Sequence, residues 1–386
     1  MKGTIVVAGS VAQKPWHGGH TWVFLQYLLG FKKLGWDVLF LDRLEPEMCV
    51  DCGGKPCSVE ESVNLQYFLR VMKGFDLDSS FSLAVDGGER SIGLPKREVV
   101  RRTGQAAMLL NIMGFLRDSE ILDRAQKRVY LDIDPGFGQM WQELGLCATF
   151  SNHHAYATIG ENIGQSDCGI PTCGLKWIAT RQPVNLDHWN PNGTPNPLSF
   201  TTVASWRGSY GPVSYRGKKY GIRAHEFRKF ISLPPLTGHR FEAALDIHPA
   251  DITDRVALES HGWTLVDPKV SSSDPWKYRA YITGSSAEFT VAKNMYVETW
   301  GGWFSDRSIC YLASGKPVLA QETGFSRLYP TGKGLLTFRS VEEAVSGVEE
   351  LSRNYHLHAT AARQIAVEHF DSKRVLGRLL EDLCLH

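Results

Sequence analysis

The run from Pro183 to Ser199, PVNLDHWNPNGTPNPLS, holds four prolines among Asn and Gly residues. Proline fixes φ and lacks an amide donor, so this run belongs neither inside a helix nor in a central strand. The chain on either side must build its own core. Strand and helix patterns alternate on both sides, and a chain of 386 residues exceeds a single core of usual size. The expectation is an α/β protein of two Rossmann-like domains facing each other across a cleft. Residues 1–185 form the first, 186–199 link them, 200–370 form the second, and a helix over 371–386 packs back toward the first.

The first half opens with a strand, Thr4 to Ala8. The loop GSVAQKPWHGGH follows, then an apolar helix from Thr21 to about Leu34, closed by Gly35, and a second strand in WDVLFLD. This is a βαβ start. Gly18 and Gly19 allow the backbone to come close to a ligand at the carboxyl end of the first strand, where such sheets bind. No G-x-G-x-x-G occurs, which argues against a dinucleotide site. Helices are expected around Val63–Lys73 and Gln105–Phe115, and a strand over Val129–Ile133 runs into DIDPGFGQMW.

The second half restarts with the strand FTTVASW and continues through GWTLVDP to GWFSDRSICYLASGKPVLAQETGF. In the last stretch Ser305 or Asp306 can accept from the free amides of a first helical turn. Gly315 stops that helix, and Pro317 to Ala320 reads as a short buried strand. The positive end of such a helix suits a diphosphate, with Arg307 adding charge. A net charge of +1 removes the electrostatic argument for nucleic acid or an anionic membrane as the main partner. No apolar run is long enough to span a bilayer, so a cytoplasmic protein with reduced thiols is expected. Cys49, Cys52 and Cys57 cluster in CVDCGGKPC, but no second C-x-x-C follows, so loop thiols are favoured over a zinc site.

With Gly315-Lys316-Pro317-Val318 ending a helix, and Gly19-His20 opening one that closes at Gly35, the chain resembles nucleotide-sugar-dependent glycosyltransferases of the two-domain GT-B fold. It departs from their pattern at Cys310, where many members carry an acidic residue. The resemblance implies transfer of a sugar from a nucleotide diphosphate, of the UDP or dTDP type rather than GDP, to a small-molecule or glycan hydroxyl, with no cofactor and no metal. It implies His20 as the base that takes the acceptor proton with inversion of configuration. The end of a helix keeps such a ring neutral, and Asp132 or Asp134 would orient it. His17 and His153 are rival bases.

On the donor side the resemblance directs attention to Ser305, Asp306 and Arg307 for the diphosphate, helped by Lys293 and Arg207. Glu288, Glu298 and Glu322 are candidates for sugar or ribose hydroxyls. The loop WTLVDP, Trp263 to Pro268, with Trp263 and Val266, would cradle the base. Asp132-x-Asp134 also matches the metal-holding motif of single-domain sugar transferases. A second sheet with its own anion-binding helix start makes that reading the poorer fit. A nucleotide-sugar 2-epimerase and a non-catalytic sugar-nucleotide binding protein are the alternatives on the same architecture.

Overall fold

A computed structural model describes residues 2–191, 193, 198–208 and 210–385. Eight strands of the first half form one sheet: β1 (Thr4–Ala8), β2 (Asp37–Leu44), β3 (Phe81–Val85), β4 (Arg90–Gly93), β5 (Met108–Ile112), β6 (Arg128–Asp132), β7 (Ala155–Thr158) and β8 (Trp177–Ala179). Their order is β4-β3-β2-β1-β5-β6-β7-β8. All neighbours are parallel except β4, which runs antiparallel to β3. Alternate residues of β1 enter separate cores, Ile5 and Val7 with Phe24 and Phe40 on one face, Val6 and Ala8 with Leu41 and Val99 on the other. Covering both faces explains the unbroken apolar runs of these strands.

The same logic corrects the helix expected over Gln105–Phe115. Its apolar core, Met108 to Ile112, is β5, buried throughout, and the helix lies before it at Lys96–Gln105. A short apolar run has no periodicity to separate strand from buried helix, and here the slot beside β1 decides.

The second half supplies β9 (Ser199–Ser205), a hairpin of β10 (Val213–Tyr215) and β11 (Lys218–Tyr220), then β12 (Arg240–Asp246), β13 (Trp263–Val266), β14 (Ala287–Thr290), β15 (Val318–Gln321) and β16 (Leu335–Phe338). Apart from the hairpin these make a six-stranded sheet, β13-β12-β9-β14-β15-β16, parallel throughout. Strand order reverses direction beside β1 in the first sheet and beside β9 in the second. Crevices open at the carboxyl ends of strands at such points.

Helix α1 (Gly18–Lys33) is apolar nearly all round because it is covered nearly all round. One side lies on the first sheet. Another meets the C-terminal helix Ser372–Asp382, whose Leu376 and Leu379 share a core with Phe24, Leu28 and Phe31. At Gly30 a Cβ would come within 2.5 Å of Leu376. The two chain crossings run side by side, Val184 N donating to Phe370 O and Ser372 N to Val184 O. Of the linker expected over 186–199, Leu186–His188 forms a turn of 3-10 helix, while 192 and 194–197 lie outside the described residues. Among the described residues, no helix is long and apolar enough to cross a membrane.

Candidate functional site

The first turn of α1 sits against the other half of the molecule. Gly18 N donates to Ser272 O at 2.9 Å, and Trp22 Nε1 donates to Pro275 O at 2.8 Å. A Cβ on Gly18 would lie 2.2 Å from Asp274 O, and one on Gly19 would lie 2.8 Å from the Tyr278 ring. The glycines therefore admit a neighbouring segment of the protein where a ligand was expected.

His20, three residues into α1, is partly buried beside the end of β1. Its Nε2 lies 2.6 Å from Ser10 O. A carbonyl only accepts, so Nε2 carries the proton and Nδ1 is the unprotonated nitrogen. Burial first, then the nearby Lys14 cation, lowers the ring to about 3, so it is neutral as expected. The orienting carboxylate is not there. Asp132, buried at the end of β6, accepts from Gln139 Nε2 at 2.6 Å, Thr158 Oγ1 at 2.9 Å and Asp134 N at 3.1 Å. Burial raises it to about 6. It holds the turn into the helix Phe137–Glu143 and makes no bond to His20.

Asp134 reaches across to the second half. Its Oδ2 is 2.6 Å from Lys293 Nζ, and its Oδ1 accepts from Tyr296 OH. Lys293 follows β14 and is positioned from behind by buried polar contacts. Glu226 accepts from Asn294 Nδ2 at 2.7 Å and from Gln321 Nε2 at 2.8 Å. Gln321 Oε1 in turn accepts from Ala292 N.

Two further cations converge here that sequence reasoning missed. Lys14, in the β1–α1 loop, faces Asp134 and Lys293, and burial lowers its pKa. Arg223 is buried between the ends of β9 and β14, donating to Val291 O at 3.1 Å and Ser205 O at 3.2 Å. Burial and the neighbouring Arg307 lower it to about 10, and no carboxylate pairs with it among the described residues. No motif could have found either. Lys14 lies in an irregular loop and Arg223 in a short helix, Arg223–Phe227.

Lys293 thus pairs with Asp134 where the two halves meet, with Lys14 and Arg223 close enough for their charges to act on it and Asp306 also beside Arg223. Such a cluster can hold a polyanion and stabilise negative charge developing on it.

Most other expected donor residues lie elsewhere. Ser305 does cap the helix Asp306–Ala313, accepting from Arg307 N. That end is sealed by Trp303, Phe304 and Phe325 around a cavity of only about 10 Å³, which leaves no room for a diphosphate. Asp306 is half-buried beside Arg307 and Arg223, and desolvation raises its pKa. Arg307 turns inward, its Nε 2.5 Å from Glu288 Oε1 and its Nη1 2.6 Å from Val203 O, with Nη2 bonded to Thr290. Both members of that pair are buried, so Arg307 and Glu288 secure the helix to the sheet. The side chain goes there because Glu288 has no other counter-ion in the sheet's core.

Glu322 Oε1 caps the turn after β15, accepting from Thr323 N at 3.0 Å and Gly324 N at 2.7 Å. Arg207 is held by Asp251 at 2.7 Å and Glu298 by Lys218 at 2.5 Å, so each is already engaged in an ion pair. Trp263 is a core aromatic, ringed by Phe227, Phe241 and Phe289, so it is closed to a base. Val266 ends the edge strand β13 opposite Ala244. Cys310 is buried and faces α1, with Gln26 Nε2 3.9 Å from its Sγ.

Neither rival histidine bonds to Asp134, Lys14, Lys293 or Arg223. His17 is exposed and bonded to Pro15 O. His153 bonds Ser151 O and Asn111, and its ring packs on Tyr130. Cys49 is buried, Cys52 exposed and Cys57 between. Among the described residues no group of three or more His, Cys, Asp or Glu side chains is placed to hold a metal ion.

No protein-family model matches the sequence, and no curated protein matches it. Solved structures do. The HepE protein of Anabaena in complex with UDP-glucose aligns over 99% of this chain and 99% of its own at 10% identity, with a TM-score of 0.61. A glycosyltransferase from Rickettsia africae ESF-5 aligns over 98% and 97% at 10% identity and 0.57. Sucrose-phosphate synthase from Thermosynechococcus elongatus aligns over 99% of both chains at 11% identity and 0.54. Two Rossmann-like sheets and end-to-end alignment with these proteins show the GT-B fold. At such identities the likeness concerns the fold alone.

Proposed function

We propose that the protein transfers a glycosyl group from a nucleoside diphosphate sugar to an acceptor hydroxyl. The observation that carries this reading is the Lys293–Asp134 pair joining the two halves of the molecule, with the Lys14 and Arg223 charges acting on the same spot. Lys14, Lys293 and Arg223 set against Asp134 and Asp306 leave an excess of positive charge, which a diphosphate neutralises. The fold shared with a protein bound to UDP-glucose supports a uridine or thymidine diphosphate as the leaving group.

In the proposed reaction the acceptor oxygen bonds to the anomeric carbon as the bond from that carbon to the β-phosphate oxygen breaks. The negative charge passes to the diphosphate, where Lys293, Lys14 and Arg223 stabilise it. The acceptor proton goes to Nδ1 of His20. In the free protein the ring is a weak base, and one cause is Lys14. A diphosphate on Lys14 offsets that cation, so donor binding makes His20 more basic. Direct attack with His20 as base gives inverted configuration.

Calorimetry with UDP, dTDP and GDP, followed by assay of nucleoside diphosphate release with and without acceptors, tests the reading. UDP or dTDP should bind, and release should require an acceptor. Failure of all three nucleotides to bind refutes it. Release without acceptor, accompanied by sugar epimerised at C2, replaces transfer by the epimerase reading. His20→Ala should lower turnover by about 10² to 10⁴ with donor affinity retained. A product of retained configuration removes His20 as the base.

A further inference from the structure

A cavity of about 250 Å³ lies in the first half, at the carboxyl ends of β1, β2 and β3 beside the reversal of strand order. Gly9 and Phe115 form part of its wall. Phe115 packs on Phe24, which packs on His20, so one ring separates the cavity wall from the proposed base. Its volume is at the small end for a ligand site and suits a group of about one sugar ring.

The charged groups lining it are unequally satisfied. Asp42 accepts from Val11 N at 2.6 Å, Ala12 N at 2.7 Å and Arg43 N at 2.7 Å. Glu45 accepts from Gly87 N at 3.0 Å. Asp118 caps its helix at Ile121 N and lies 2.9 Å from Lys96 Nζ, which also meets Glu120 at 3.0 Å. Every carboxylate on the wall therefore has its donors. The arginines are less well satisfied. Arg43 Nε is buried with no acceptor, and the nearest carboxylate, Glu45 Oε1, is 3.8 Å from Nη1. Arg117 lines the same cavity and makes no hydrogen bond or ion pair among the described residues.

We infer that this cavity takes an acceptor bearing an anionic group, carboxylate or phosphate, bound by Arg43 and Arg117. The inference rests on the transfer reading only in calling the ligand an acceptor. A planar guanidinium matches both anions through paired N–H donors. The Arg43 side chain is 38% exposed, so its outer guanidinium nitrogens are open to an anion, and the wall offers no unsatisfied acceptor to favour a cationic ligand.

The test is calorimetric titration of the whole protein with D-glucuronate, glucose 6-phosphate and methyl glucoside. One of the two anions should bind at least about tenfold more tightly than methyl glucoside, and Arg117→Gln and Arg43→Gln should each remove most of that difference. Which anion binds distinguishes carboxylate from phosphate. Arg117 is exposed, so its substitution leaves the fold intact even if Arg43→Gln does not. Equal binding of the neutral sugar, anion affinity that survives the Arg117 substitution, or no binding of any probe at millimolar concentration overturns the inference. UDP titrated into the same samples separates the two readings. Anion binding without UDP binding refutes the donor site and leaves the cavity assignment standing, whereas UDP binding without anion binding does the reverse.

Discussion

Replacing Asp134 with Asn should strengthen nucleoside diphosphate binding, although Asp134 stands at the centre of the cluster. Its carboxylate is 2.6 Å from Lys293 Nζ, with side chains only 19% and 12% exposed, and it also accepts from Tyr296 OH. A phosphate that takes its place on Lys293 lies about 5 Å away. At an effective dielectric constant of about 20, two like charges at that distance repel by about 3 kcal/mol. Movement of the carboxylate toward solvent relieves roughly half of this, leaving about 1.5 kcal/mol, or tenfold in affinity. Asn retains the size and can still accept from Tyr296, so the perturbation is mainly the charge. Calorimetry with UDP at low and moderate salt is the assay, and the gain should shrink as salt rises. Unchanged or weaker binding by Asp134→Asn, in a protein of native melting temperature, would refute the idea that an anion displaces Asp134. Asp134 would then be a positioning group for Lys293.

Lys293→Met should weaken UDP binding by about 1.5 to 3 kcal/mol, the range for a hydrogen bond to a charged group; unchanged affinity by calorimetry removes Lys293 from the donor site. Arg307→Ala should act on stability, costing about 3 to 5 kcal/mol in urea denaturation, because it strands the buried Glu288 without its counter-ion. A stable variant with lost nucleotide affinity would return Arg307 to the phosphate. The depressed pKa of His20, ordinarily 6.5 and here about 3, means the unfolded chain takes up a proton that the folded protein does not. Its stabilisation is full above pH 6.5 and is lost as pH falls toward 3, at up to about 1.4 kcal/mol per pH unit. His20→Gln should flatten that part of the stability profile. Burial raises Asp42 to about 7 and Asp132 to about 6, which act in the opposite sense in both proteins, so the difference between the two profiles isolates His20. Parallel profiles would show that the ring is not held neutral by the fold.

Local patterns suffice where one segment carries both cause and effect. The strand Thr4–Ala8 and the cap at Ser305 follow from residues adjacent in the chain, and they stand in the structure as the sequence implies. The neutrality of His20 was likewise legible from its position at the start of a helix, although burial is its largest cause. What the residues could not reveal is which groups would be brought within bonding distance across the fold. Arg307 follows a helix start that suits an anion, yet Glu288 turns it inward. Gly18 and Gly19 suit a ligand, yet Ser272 and Asp274 occupy the space. The apolar stretch Met108–Ile112 became a strand because β1 and β6 flank it on both sides. Lys14, Asp134, Arg223 and Lys293 are far apart in the chain and carry no shared motif. Only the packing of one sheet against the other makes them neighbours, because charge interactions depend on distance in space and on burial, neither of which local sequence encodes.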